Sequence, residues 1–159
     1  MSTRSNIAIE DPKTKNVKVI YVHSDGYPYG VGHCLVDNYN SYDLAKELFQ
    51  YGDASYLDET IDQCSFYGRD WERKIDKART YRDEWMYMYN MRGEPMIEYI
   101  YIFKSGRWFV STSKYIKYKG KHEKHAEVKM IGQIGKLLSG AGFKDDDVMV
   151  QGGKVKKAN

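Results

Sequence analysis

The spacing of apolar and polar positions changes several times along this chain, and each change marks an element. Ile7 and Ile9 alternate with polar neighbours in Ser5 to Ile9, and Val17 to Val22 is a short β-branched run. The turn-rich stretch EDPKTKN separates the two runs, so the pattern predicts an opening hairpin. The period lengthens after residue 40. Leu44, Ala45, Leu48 and Phe49 fall at i, i+1, i+4 and i+5, which predicts a helix capped by Ser41, running to about Tyr51 and stopped by Gly52. Leu57, Ile61 and Cys64 predict a second short helix from about Ser55, with Asp58, Glu59 and Asp62 near its start. Trp71, Ile75, Ala78, Trp85 and Tyr89 keep a roughly helical spacing, which predicts a helix from Trp71 to Tyr89.

The strongest β signal is Met96 to Val110, where IEYIYIF and RWFVS flank Ser105-Gly106, a pair able to take the positive φ angles of a two-residue hairpin loop. Beyond Gly120, Ala126, Met130, Ile134 and Leu137 or Leu138 share one face, predicting a helix that ends near Ser139-Gly140. Val148 to Val150 can add a strand. Hairpins early and late with helices between them predict an α+β fold, an antiparallel sheet built from N-terminal and C-terminal hairpins and covered by helices. Residues 1–150 are expected to form a single domain and 151–159 a flexible basic tail.

Composition adds bounds. With 159 residues, 42% of them hydrophobic, the chain can bury a core without disulfide or metal staples. The two cysteines, Cys34 and Cys64, lack a C-x-x-C spacing and read as buried free thiols, each on a helix. No apolar run approaches the ~20 residues that span a bilayer, and MSTRSNIAIEDP lacks a signal-peptide core, so a cytoplasmic protein without a membrane partner is expected. The 15 tyrosines suit half-buried sheets and interaction surfaces alike.

The stretch VHSDGYPYGVGHCL between the second strand and Cys34 is dense in turn formers. Together with STRSNIAI and YIYIFKSGRWFV it resembles an uncharacterised family of short phage and prophage proteins, whose loop reads H-W-D-G-Y-P-x-G-V-G. The match holds at His23, Asp25, Gly26, Tyr27, Pro28, Gly30, Val31 and Gly32, and Ser24 stands where the family carries tryptophan. The resemblance covers roughly residues 2–110 and implies a phage context, with a host-directed or DNA-metabolism accessory role. It implies no catalytic residue.

Three places can carry chemistry. His23, Asp25 and His33, with Tyr27, Pro28, Gly30 and Gly32, form a candidate ligand or partner loop, since an imidazole beside a carboxylate suits proton transfer or metal binding. The competing reading is a turn whose glycines let the chain enter a helix. Trp71, Arg82, Trp85, Tyr87 and Tyr89 have the composition of a protein-interface hot spot. Lys114 to Lys136 carries seven lysines against two glutamates. Within it Lys114, Lys117, Lys119, Lys121, Lys124 and Lys129 are candidates for phosphate contact, although arginine, the better phosphate grip, is absent there. His122 and His125 stand three apart in that stretch, where the neighbouring lysines favour a solvated face over a metal site. No cofactor, metal or catalytic motif is present, Gly30-Val31-Gly32 lacking the rest of a phosphate-loop signature.

The sequence therefore favours a non-enzymatic bacteriophage accessory protein that binds and inhibits or redirects a host factor, a defence or nucleic-acid-processing protein. The alternatives are a nucleic-acid-binding protein using the lysine-rich C-terminal region, and a small nucleotide-binding or nucleotide-cleaving protein using the His23 to His33 loop.

Overall fold

The computed structural model describes residues 2–74, 77–91, 94, 96–112, 129–130, 148–151 and 154–157. Strands β1 (Ser5–Glu10) and β2 (Val17–Val22) form the expected hairpin, with Ser5 facing Val22 and Glu10 facing Val17. Strands β6 (Tyr99–Lys104) and β7 (Arg107–Thr112) form the second hairpin. Its loop residues Ser105 and Gly106 have φ of 52° and 76°, as a tight loop between right-twisted strands requires.

The class is α+β, but the sheet is mixed. The two hairpins meet through a parallel pairing of β1 with β6, in which Ser5 faces Tyr99 and Ile9 faces Phe103. Parallel strands are buried on both faces and need near-continuous apolar runs, and YIYIF on β6 is such a run. The strand order is β4-β3-β2-β1-β6-β7-β8, with β5 also on the free edge of β2. Here β3 is Ala54–Tyr56, β4 is Ser65–Phe66, β5 is Arg79–Tyr81 and β8 is Lys129–Met130. A separate pair, β9 (Val148–Gln151) and β10 (Lys154–Lys157), contains the strand expected at Val148 to Val150 and part of the stretch read as a tail.

One sheet face packs against α1 (His33–Asn38) and α2 (Tyr42–Glu47). Ile7, Ile9, Ile20, Val22, Tyr101, Phe103, Trp108 and Val110 bury there against Leu35, Tyr39, Ala45, Leu48 and Phe49. The other face carries Ala8, Val17, Val19, Ile100 and Ile102 beneath Tyr87, Met88 and Met91 of α4 (Glu84–Met91). Ser41 caps α2 as expected, its hydroxyl accepting the Leu44 N–H at 3.2 Å, and Gly52 turns the chain at φ 76°. Leu44, expected on the buried face, is 47% exposed, because Ala45, Leu48 and Phe49 are the residues that turn to the sheet.

Two expected helices are replaced by strand pairing. Ser55 begins no helix: Ala54 pairs with Val22, and the chain reaches only a 3₁₀ turn at Ile61–Gln63, capped by Thr60 and followed by Cys64. Trp71 to Tyr89 is likewise not one helix. The short α3 (Tyr67–Asp70) ends at Trp71, Glu72 takes φ 53°, and Arg79–Tyr81 pairs with Val17–Val19. In both cases the free edge of β2 offers unpaired backbone groups whose satisfaction outweighs a weak helical propensity. The helix expected beyond Gly120 lies largely outside the described residues, and its Lys129–Met130 are a strand beside Phe109 and Val110.

Three long-range hydrogen bonds tie the layers together. The Tyr101 hydroxyl donates to the Gly26 carbonyl at 2.7 Å, the Tyr87 hydroxyl to the Tyr101 carbonyl at 3.3 Å, and the Trp108 indole N–H to the Tyr39 carbonyl at 2.9 Å. Replacing Tyr101 by Phe keeps the buried ring and orphans the Gly26 carbonyl. The expected cost is about 1–3 kcal/mol in chemical denaturation, with the native fold retained. An unchanged stability would show that the bond carries no net weight.

Candidate functional site

The His23 to His33 loop is built by backbone contacts. Past the end of β2, the His23 and Ser24 N–H groups donate to the carbonyls of Ala54 and Ser55, both at 3.0 Å, so the chain continues alongside β3. Asp25 then turns it with φ 57°. Gly26 donates to the Thr3 carbonyl at 2.8 Å and passes so close to β1 that a Cβ would stand 2.8 Å from Ser5 Cβ. The Asp25 carbonyl accepts the Val31 N–H at 2.7 Å, closing the wide turn Pro28–Gly32, and a Cβ on Gly30 would meet that oxygen at 2.2 Å. Pro28 is buried at the start of this turn. Gly26, Pro28 and Gly30 thus have architectural reasons for their identity.

The polar side chains of the loop take separate partners. His23 Nδ1 lies 2.7 Å from the Tyr21 hydroxyl, the Tyr27 hydroxyl donates to Asp25 Oδ1 at 3.2 Å, and the His33 ring packs 5.9 Å from that of Tyr29. Among the described residues no group of three or more His, Cys, Asp or Glu side chains is arranged to hold a metal ion. Gly32 packs against Tyr101, a Cβ there standing 3.4 Å from its hydroxyl oxygen.

The two cysteines, distant in sequence, meet at one carbonyl. Cys34 on α1 and Cys64 after the 3₁₀ turn place Sγ 3.4 and 3.7 Å from the Asp58 oxygen, which also accepts the Tyr39 hydroxyl at 2.7 Å. Burial pushes the Cys34 thiol from its ordinary 9.0 up to about 12, with Asn38 pulling weakly the other way. Burial therefore favours the protonated thiol at Cys34. Tyr39 is raised by the same desolvation and by its contact with Cys64.

The residues expected on one partner-binding helix are divided. Trp71 follows α3 and is 50% exposed. Its indole N–H donates to Ser65 Oγ at 2.8 Å, its ring meets the edge of Tyr67 at 5.0 Å, and the Arg73 guanidinium lies 5.4 Å from it and 4.8 Å from the Tyr67 ring. Beside this cluster the Arg69 guanidinium covers the rings of Tyr51 and Phe66 at 5.1 and 5.0 Å. Trp85 and Tyr89 stack at 5.1 Å on α4, and exposed Arg82 pairs with Asp83. Tyr87 is fully buried, so it belongs to the core and not to an exposed partner surface. Tyr67, Arg69 and Arg73 were not among the residues expected at a partner surface. The alternation of aromatic and arginine residues from Phe66 to Arg73 was the available signal.

Lys114, Lys117, Lys119, Lys121 and Lys124 lie outside the described residues, as do His122 and His125, and Lys129 stands in β8 opposite Val110. No helix among the described residues is long and apolar enough to cross a membrane.

These contacts separate architecture from chemistry in the loop. Gly30→Ala is expected to lower stability by roughly 1–3 kcal/mol through the clash with the Asp25 carbonyl. His23→Ala removes one half-buried hydrogen bond and is expected to cost about 0.5–1.5 kcal/mol. Denaturant midpoints measure both, and a neutral Gly30→Ala would contradict the close approach. Compared with protein-family models, curated proteins and solved structures, the chain matches none.

Proposed function

We propose that this chain is a non-enzymatic accessory protein of a bacteriophage that binds a host protein, in defence or nucleic-acid processing, and inhibits or redirects it through the surface around Trp71. The observation that carries this reading is the state of Trp71 itself. Half of a large apolar side chain faces solvent, yet its indole N–H is fixed to Ser65 and its ring rests against both Tyr67 and Arg73. An exposed ring that is already ordered loses little rotamer freedom on binding, which is the property of an interface anchor. Tyr67 and Arg73 add the residue types that dominate such anchors, in a cluster that solvent reaches. The phage context rests on the likeness of the His23 to Gly32 loop to that family.

Packing within the chain also accounts for Tyr67, whose ring meets Trp71 at 5.0 Å and the Arg73 guanidinium at 4.8 Å. It does not require a tryptophan at 71, since the exposed half of that ring stabilises nothing within the chain. The test is capture from nuclease-treated bacterial lysate with tagged protein, identification of the retained host protein, and affinity measurement with that partner purified. Trp71→Ala and Arg73→Ala are each expected to weaken binding about 30-fold or more, the scale of a hot-spot residue. Arg73→Ala is expected to leave the melting temperature little changed, and Trp71→Ala to lower it through the lost Ser65 hydrogen bond and ring packing. Full affinity in both variants, or no retained protein, would overturn the reading.

A further inference from the structure

A groove opens at the end of the β1–β2 hairpin, where α2 stops covering the sheet. Its sheet wall is a single cross-strand row: Ile9 on β1 pairs with Lys18 on β2, and Lys18 pairs with Thr80 on β5. Its helix wall is Tyr42 and Lys46, one turn apart on α2, continued by Phe49 just past the helix end. The hairpin turn, with Asp11 and Thr14, closes one end. The enclosed volume is about 490 Å³. Small-molecule sites fall in the range of about 300–1,000 Å³, with apolar walls and a few polar groups to fix orientation.

The lining states the chemistry of an occupant. Ile9 and Phe49 are buried, and the Tyr42 ring stands beside them, so the inner part suits an apolar or aromatic body. Lys18 and Lys46 are exposed at this lining, and neither has an ion-pair partner among the described residues. Lys18 stands on the face of β2 whose other members, Ile20 and Val22, are fully buried, which sets an ammonium at the margin of an apolar wall. The Lys46 ammonium lies 6.0 Å from the centre of the Tyr42 ring, so charge and ring are presented side by side. Asp11 is the one carboxylate among the lining residues described, and its Oδ1 is committed to the N–H groups of Lys13 and Thr14 at 2.8 and 3.0 Å. Those backbone hydrogen bonds hold it below the usual carboxylate range, so it is ionised, with one oxygen tied to the turn and no ion pair to Lys18 or Lys46 among the described residues. The groove therefore joins two cations, without an ion pair among the described residues, to an aromatic and aliphatic floor.

We infer that this groove binds a small anion carrying a flat ring, the chemistry of a nucleoside monophosphate, with the ring on Phe49 and Tyr42 and the phosphate at Lys18 and Lys46. The Thr80 and Thr14 hydroxyls supply neutral hydrogen-bonding groups at the rim. This site uses different residues from the Trp71 surface and stands independently of it. The competing role for both lysines is to cover Phe49 with their aliphatic stems, a role that neutral glutamine would largely preserve.

The experiment is a titration of the full chain with AMP, GMP, CMP and UMP, followed by backbone amide shifts and calorimetry. Adenosine and inorganic phosphate serve as the ring without the anion and the anion without the ring. At least one monophosphate is expected to bind saturably, shifting the amides of Lys18, Thr80, Tyr42 and Lys46, and to bind more weakly as salt rises. Lys18→Gln and Lys46→Gln are each expected to weaken it about tenfold, the scale of one charge-assisted hydrogen bond, at unchanged melting temperature. No binding at millimolar concentration by any of the four nucleotides would overturn the inference. So would shifts confined to other residues, full affinity in both variants, or phosphate binding as tightly as the nucleotides, which would mark an adventitious ion only.

Discussion

The fold depends on one strand being paired along both edges and buried on both faces. β1 binds β2 antiparallel and β6 parallel, and Ile7 and Ala8, on opposite faces, are both fully buried. A strand in that position has no backbone group to spare, so the two hairpins that meet on it cannot separate without leaving donors and acceptors unpaired. Its two faces also set the layers. Ile7 and Ile9 recruit α1 and α2, while Ala8, small enough to admit the large side chains Tyr87 and Met88, recruits α4. Asn6 lies on the α4 face too, donating from Nδ2 to Met91 Sδ at 3.0 Å, a polar side chain that marks where the apolar part of that face ends.

The loop after β2 follows from this frame. Gly26 must lie against Ser5 because the Tyr101 hydroxyl, held by β6, reaches through the core to its carbonyl. The most distinctive stretch of the sequence is therefore distinctive largely for packing reasons: its glycines and proline let a short chain segment cross the end of the sheet and enter α1. The exposed chemistry lies elsewhere. The Trp71 cluster sits after a helix of four residues, and the groove beside α2 draws on three strands and a helix end. Both proposed surfaces use residues outside the His23 to His33 loop.

Both hairpins, the Ser41 cap and the Gly52 stop were legible because each rests on local signals, a run of turn formers, a two-residue turn, a side chain three positions from its target or a glycine at positive φ. The parallel seam was foreshadowed only by the unbroken run YIYIF, which a half-exposed strand would not carry. Ser55 and Arg79 to Tyr81 were read as helix because edge pairing with β2 is decided by residues more than 30 positions away, which no local period records. The Trp71 cluster was visible only through Trp71, because the break at Glu72, φ 53°, and no helical period, sets Arg73 against Trp71 and Tyr67. Lys18 and Lys46 are 28 positions apart and ordinary as sequence, so the groove that joins them could not be read before the fold was known.

The parallel β1–β6 seam locks both hairpins into one cooperative unit, which native-state amide hydrogen exchange can resolve. The amides of Ile7 to Ile9 and of Tyr101 to Phe103 are expected to exchange last and together, through global unfolding. Rapid exchange across β6 and β7 while β1 and β2 stay protected would show two hairpins that open independently, and would contradict the account.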